Sequence, residues 1–326
     1  MSEIVRTAAS FLREPGHYGA GVHEWAAEVA IDERLVRGLL AAQFPELELG
    51  SLRLLAEGWD NAVWLVDERW AFRFPRRRIA LPGVERELAL LPRLAPLLPA
   101  PIPLPAFVGG PSDRYPWPFF GAELVAGREP DALSLAEGER GRLAEELGAF
   151  LRSLHAPAVA AAVDGGRTLP VDFNGRADMA VRVPKTREWL AVVETLGIWR
   201  SPPVVERVLA EAQELPAPGA GAVVHGDLHF RHVLVDGAGA LAGVIDWGDV
   251  CRADPSVDLQ LYWSFLPPPA REPFVRAYGP ISGEQLLRAR VLALCLGAAL
   301  AAHAHHEGLA AVEREALEGL RRAAIE

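Results

Sequence analysis

The sequence predicts an α+β fold of two unequal lobes, an N-terminal antiparallel sheet with one main helix followed by a larger helical C-terminal lobe. Three observations predict it. Three short apolar segments separated by turn residues crowd into the first quarter of the chain. Helical spacing dominates from Ala136 onward. Between Ala222 and Asp246 that texture breaks into short apolar strands with aspartates in the loops beside them.

Taken in order, Glu24 to Gln43 spaces Trp25, Val29, Leu35 and Leu39 as a helix does, with a break at Ile31-Asp32 where a new cap fits. Leu52–Glu57, Ala62–Val66 and Trp70–Phe74 read as strands. Gly58-Trp59-Asp60-Asn61 and Asp67-Glu68-Arg69 join them as hairpin turns, which gives an antiparallel meander. Pro82–Leu94 reads as a helix with proline near its start. The proline-dense stretch from Pro96 to Pro105 forces extended backbone and excludes helix. Trp117–Val125 is a further strand, and Ala136–Leu154 a strongly amphipathic helix. Val223-Val224, Val233-Leu234-Val235 and Gly243-Val244-Ile245 are short strands joined by polar loops, and the last hundred residues or so read as helical. No internal repeat is visible.

Composition narrows the function. The 326 residues are half hydrophobic and carry a formal net charge of −10, so a sizeable core is available and the basic footprint of a general nucleic-acid binder is missing. Cys251 and Cys295 are the only cysteines, too few for a disulfide framework, and they form no CxxC metal pair. The N-terminus shows no signal-peptide pattern. The longest apolar run, Val291–Ala302, falls short of the ~20 residues that span a bilayer and reads as a buried core helix. A cytoplasmic protein without a membrane partner is the expectation. His303, His305 and His306 have near-helical spacing but no complete metal-ligand set around them, and read as surface residues. Ser153 and His155 have no triad context.

The chemistry concentrates in His225-Gly226-Asp227-Leu228-His229-Phe230-Arg231-His232-Val233-Leu234-Val235, where an aspartate sits in a loop between two apolar strands. Nineteen residues after Asp227, Val244-Ile245-Asp246-Trp247-Gly248-Asp249 places a second aspartate at the end of another strand. Phosphoryl transfer asks a protein for a carboxylate to orient the attacking hydroxyl and for oxygen ligands to Mg²⁺, and two such aspartates supply both. The bland alternative is that each caps a turn.

These two strings, with Asp254-Pro255 and Asp258-Leu259 after them, resemble the catalytic and metal loops of the aminoglycoside phosphotransferase family, which includes macrolide kinases and shares the protein-kinase-like fold. The resemblance runs from about Leu52 to the C-terminus. It implies residues 1–122 as a nucleotide-binding lobe with an N-terminal helical extension, 123–127 as a hinge, and 128–326 as a helical lobe carrying the catalytic and metal-binding loops. Asp227 would be the catalytic base and Asp246 a ligand of Mg²⁺. His225 would brace the loop by hydrogen bonds, and Asp258 would tie it down. The family usually has asparagine five residues after the catalytic aspartate, as a metal ligand. Here that position is His232, a softer ligand poorly suited to Mg²⁺.

The resemblance also assigns Arg73 to the α- and β-phosphates, in place of the more usual lysine. Arg76, Arg77 and Arg78 read as a solvated basic turn. Glu87, with Glu85 as runner-up, would be the partner of Arg73 on the following helix. Trp59 and Asn61 lie in the hairpin that would cover the phosphates. Glu123 and Val125 would read the purine through their backbone. The implied activity is transfer of the γ-phosphate of ATP or GTP to a hydroxyl of a small molecule, an aminoglycoside or macrolide first. The alternatives are a metabolic kinase of the choline or homoserine type, or a degenerate nucleotide-binding pseudokinase. A monomer or homodimer is expected.

Overall fold

A computed structural model describes residues 27–325 except 59, 134, 136, 137, 139 and 164–168. The chain opens with α1 (Glu33–Gln43), capped by Asp32, whose carboxylate accepts the Leu35 N–H at 2.7 Å. The expected cap at Asp32 is therefore present, but the helix is shorter than its spacing suggested. Residues 28–32 are not helical, and Glu24 to Ala26 lie outside the described residues.

Next come β1 (Leu52–Glu57), β2 (Asn61–Val66) and β3 (Trp70–Pro75), then α2 (Leu81–Leu94), β4 (Pro105–Gly109) and β5 (Phe119–Glu123). The five strands form one antiparallel sheet in the order β1-β2-β3-β5-β4. Alternation along β3 sets its two faces. Phe72 and Phe74 point into an aromatic core with Phe44, Tyr115, Trp117 and Phe119, beneath α1. Arg73, between them, points the other way, toward α2.

Two expectations need correcting here. The segment after α2 is not wholly non-helical, because Ala95–Leu97 makes a single 3₁₀ turn with Pro96 in its first positions, where no N–H is needed. Strand β4 carries no strand signal in the sequence. It begins at a proline and lies at the sheet edge, where prolines are tolerated, and Leu104 and Val108 are exposed rather than patterned toward a core.

The second half begins with α3 (Pro130–Leu133), α4 (Arg140–Leu154), α5 (Pro157–Val163), α6 (Met179–Thr195) and α7 (Pro203–Gln213). Two small hairpin-like pairs follow. Strand β6 (Ala222–Val224) pairs with β9 (Cys251–Ala253), and β7 (Val233–Val235) with β8 (Leu241–Val244). Strand β9, three residues long, was too short to show a period. The chain ends in α8 (Ser256–Leu259), α9 (Leu261–Ser264), α10 (Pro268–Tyr278), α11 (Gly283–Glu307) and α12 (Ala310–Ala323).

Helix α11 is long and apolar enough to cross a membrane, yet 83% of its apolar window is buried among α6, α8, α9 and α12. It is the core helix its composition suggested. His303 is buried on it, contrary to the surface reading, whereas His305 and His306 are exposed near its end.

Candidate active site

The two aspartate loops are set by the small strand pairs. Strand β6 delivers His225-Gly226-Asp227, and β8 delivers Ile245-Asp246 alongside. Gly226 has φ +89°, and an added Cβ would run into the Asp249 carbonyl oxygen, so only glycine lets the two loops approach. Asp246 itself has φ +65°, a left-handed conformation that costs a non-glycine residue about 1 kcal/mol.

Asp258, fully buried at the start of α8, accepts the N–H groups of His225 (2.7 Å) and Gly226 (3.1 Å) and also binds His155 Nε2 (3.1 Å). Burial works against its charge, but His155 and these donors hold it below the usual carboxylate range. His225 accepts the Asp227 N–H at Nδ1 (3.3 Å), so its Nε2 carries the hydrogen and donates to the Ile245 carbonyl (3.0 Å). Each of these groups joins one loop to another.

A cleft of about 260 Å³ opens above them. Asp60, Asn61 and Arg73 line its sheet side, with Pro82, Gly83 and Arg86 from the start of α2; Phe173, Asn174, Arg176, Asp227, Asp246 and Asp249 line the other. Arg73 Nη1 binds Asp246 Oδ1 at 2.9 Å and Glu87 Oε1 at 3.1 Å. Glu87 is buried because it shares a helix face with Val84, Leu90 and Leu91, whereas Glu85 is exposed. Its Oε1 also accepts the Trp247 N–H at 3.1 Å. Burial raises Glu87 to about 7 against the pull of Arg73. For Asp246 the balance is reversed. Burial disfavours its charge, but Arg73, and then His232, hold it at about 2.

Asp227 stands in a different field. Burial pushes its carboxyl well above the ordinary value, and Arg176 pulls the other way. Arg176 is 3% exposed, with Nη2 at 2.5 Å from Asp249 Oδ2 and 3.7 Å from Asp227 Oδ1. Burial opposes its charge, but Asp249 and Asp227 keep the guanidinium firmly protonated. Arg86 bridges to the same corner, donating to the Gly248 carbonyl (2.5 and 3.0 Å) and stacking on Phe173 at 4.7 Å.

The cleft thus brings together Asn61, Arg73, Asp227 and Asp246, with Glu87 directly behind Arg73 and His225, His232 and Asp258 beneath the loops. Trp59 lies outside the described residues. Glu123 and Val125 are not among the residues lining this cleft. The Glu123 carboxylate pairs with Arg69 in solvent (3.2 Å), while Val125 packs on Gly243. Arg76 and Arg77 are not a solvated turn. They reach back to the Gly58 carbonyl (2.7 Å), Glu57 (3.1 Å) and Asp60 (3.1 Å), and so hold the first hairpin against β3.

Sequence reasoning missed Arg176, Arg86 and His155. Arg176 sits in an aperiodic loop and His155 lies 103 residues from its partner, so neither carries a local signal. The residues present fit a divalent cation. Asp246 offers Oδ2, and the buried His232 Nε2 has no hydrogen-bond partner among the described residues.

The chain matches the phosphotransferase enzyme family over residues 51–294. Viomycin phosphotransferase of Streptomyces vinaceus is 41% identical over 92 residues, 27% of this chain and 26% of that protein. The matches span about a quarter or less of the length of the curated relatives. The fold is similar to that of wild-type aminoglycoside 2'-phosphotransferase-IIIa in its GDP complex (TM-score 0.64, 22% identity, 90% of this chain and 99% of that one). It is also similar to that of macrolide 2'-phosphotransferase MphH from Brachybacterium faecium (TM-score 0.56, 24% identity, 86% and 96%). The sheet, the paired aspartate loops and a match over most of its length agree: this chain belongs to the phosphotransferase enzyme family and has the protein-kinase-like fold.

Proposed function

We propose that the protein is a small-molecule kinase that transfers the γ-phosphoryl group of ATP or GTP to a substrate hydroxyl. The observation that carries this reading is the convergence of Asp227 and Asp246 on one cleft, with Arg73 bridging Asp246 to Glu87. Little covalent chemistry is asked of the protein, so positioning and charge do the catalysis. Arg73 meets the nucleotide phosphates, and Glu87 fixes its position. Asn61 and the hairpin held by Arg76 and Arg77 cover them. Asp246, with His232 beside it, would hold a divalent cation, which neutralises the charge of the β- and γ-phosphates when bound.

Asp227 accepts the hydrogen bond of the incoming hydroxyl and takes its proton as the phosphoryl group transfers. Arg176 faces this carboxyl and favours its ionised form, as a base requires. The acceptor approaches past Phe173, Asn174 and Arg176. Asp249, the remaining acidic group of that wall, is already matched by Arg176. Acceptors of the kinds named by the relatives (aminoglycosides, macrolides and viomycin) are the first to test, with a cytoplasmic location and a monomer or homodimer as working assumptions.

A coupled assay of nucleoside diphosphate release across that panel, with choline and homoserine added and Asp227→Asn as control, tests the reading. Turnover with an antibiotic, lost in the variant, supports it. Turnover only with choline or homoserine would make this a metabolic kinase. Retained nucleotide binding without any turnover would leave a nucleotide-binding scaffold.

A further inference from the structure

The cleft is poorly built to receive a polycation. Asp60, Asp227, Asp246 and Asp249 line it, and all but Asp227 are closely matched by a guanidinium. Arg77 lies 3.1 Å from Asp60, Arg73 2.9 Å from Asp246 and Arg176 2.5 Å from Asp249. Arg73, Arg86 and Arg176 line the same cleft as cations. Among the described residues, the lining thus keeps no carboxylate for an ammonium group except Asp227, which the incoming hydroxyl needs.

What the acceptor side offers instead is an aromatic ring. Phe173 lines the cleft at 43% exposure, and Ile79 lines it from the N-terminal lobe at 41%. Apolar side chains on two sides of one cleft are the usual lining of a small-molecule site. The backbone under the ring is fixed before any acceptor arrives. The Asp172 carboxylate accepts the N–H groups of Arg176 (2.7 Å) and Ala177 (2.9 Å), and the Asp172 N–H donates to the Arg252 carbonyl (2.9 Å). On the other side, the buried Arg182 donates to the Asn174 carbonyl (3.1 Å). Arg86 holds the ring itself, with its guanidinium carbon 4.7 Å from the ring centroid. That guanidinium already uses the ring's attraction for cations and repels a second positive charge brought beside it.

We propose that Phe173 is the platform on which the acceptor lies, and that this wall selects an acceptor with an apolar face and at most one positive charge over a polyammonium one. The inference rests on the kinase reading, because it concerns the acceptor side of the same cleft. An apolar face covers the exposed ring and Ile79 while a neighbouring hydroxyl meets Asp227. A polyammonium acceptor would bring its charges against Arg86 and Arg176, with no free carboxylate to offset their desolvation.

Two probes of opposite chemistry test this: erythromycin, a largely apolar macrolide glycoside with one amine, and kanamycin, a polyammonium aminoglycoside. Saturation-transfer NMR on the full-length protein with a non-hydrolysable ATP or GTP analogue reads binding, and steady-state kinetics reads turnover. Erythromycin should bind at least roughly tenfold more tightly than kanamycin. Phe173→Ala should weaken erythromycin roughly tenfold while leaving nucleotide affinity unchanged. Phe173→Trp, which restores a ring, should recover most of the loss, and Phe173→Leu only part of it. A thermal melt checks that each variant is folded. Kanamycin bound as tightly as erythromycin, no binding of erythromycin, or an erythromycin affinity indifferent to Phe173→Ala would overturn the proposal. Preferential phosphorylation of kanamycin would overturn it while leaving the kinase reading intact. Phe173-dependent binding of erythromycin without phosphorylation of either probe would keep the platform but count against that reading.

Discussion

Of the aspartates lining the cleft, Asp227 and Asp246 are both largely shielded from solvent, yet their charges are held differently. At the corner where the sheet meets the β8 loop, Asp246 lies against Arg73 and stays ionised, at about 2. On the acceptor side Asp227 has its cation further off, at 3.7 Å, and burial wins, lifting its carboxyl well above the ordinary value. A ligand for a metal has to remain charged, whereas a base has to take up a proton when the hydroxyl gives one up. Under the proposed reading, the different surroundings (Arg73 and His232 at Asp246; burial, Arg176 and the neighbouring carboxylates at Asp227) suit two chemically identical side chains to two roles.

The largest effect should come from removing the base. Asp227→Asn should lower kcat by roughly 10²–10⁴-fold while nucleotide affinity changes little, measured by steady-state kinetics beside calorimetry. Next is the guanidinium that tempers it. Activity requires ionised Asp227, so the rate falls as pH drops through its value. Arg176→Met removes the pull that lowers that value, so the acidic limb of the kcat/KM profile should move to higher pH. A limb that stays in place would show that Arg176 serves only to hold Asp249.

A smaller change is expected behind Arg73. Glu87→Gln keeps an acceptor for the Trp247 N–H but weakens the charged bond to Arg73. It should loosen nucleotide binding by roughly 3–10-fold, read by titration with a fluorescent nucleotide. Below the cleft the effect shifts from activity to stability. Asp258→Ala strands the N–H groups of His225 and Gly226, each costing about 1–3 kcal/mol, and denaturant titration should register the loss.

The legibility of the molecule follows the same division. The sheet was readable because Phe72, Arg73 and Phe74 alternate as a strand does and turn residues separate the segments. Glu87 could be ranked over Glu85 by resemblance, and the buried helix face agrees with that ranking. The two aspartates stood out because each follows a short apolar strand. The groups that tune them did not. Arg176 comes from an aperiodic loop before α6, and His155 from the end of α4. Both reach the site only through packing, which leaves no trace at a fixed spacing. His232 was visible as a residue, but only its hydrogen bond to the Asp227 carbonyl shows which nitrogen is presented to Asp246.

Binding of a non-hydrolysable ATP or GTP analogue, with and without divalent cation, to the wild type, Asp246→Asn and Asp227→Asn tests this division of labour most directly. The expected result is a cation-dependent gain in affinity that Asp246→Asn abolishes and Asp227→Asn leaves nearly intact. Equal losses in both variants, or binding indifferent to the cation in the wild type, would contradict it.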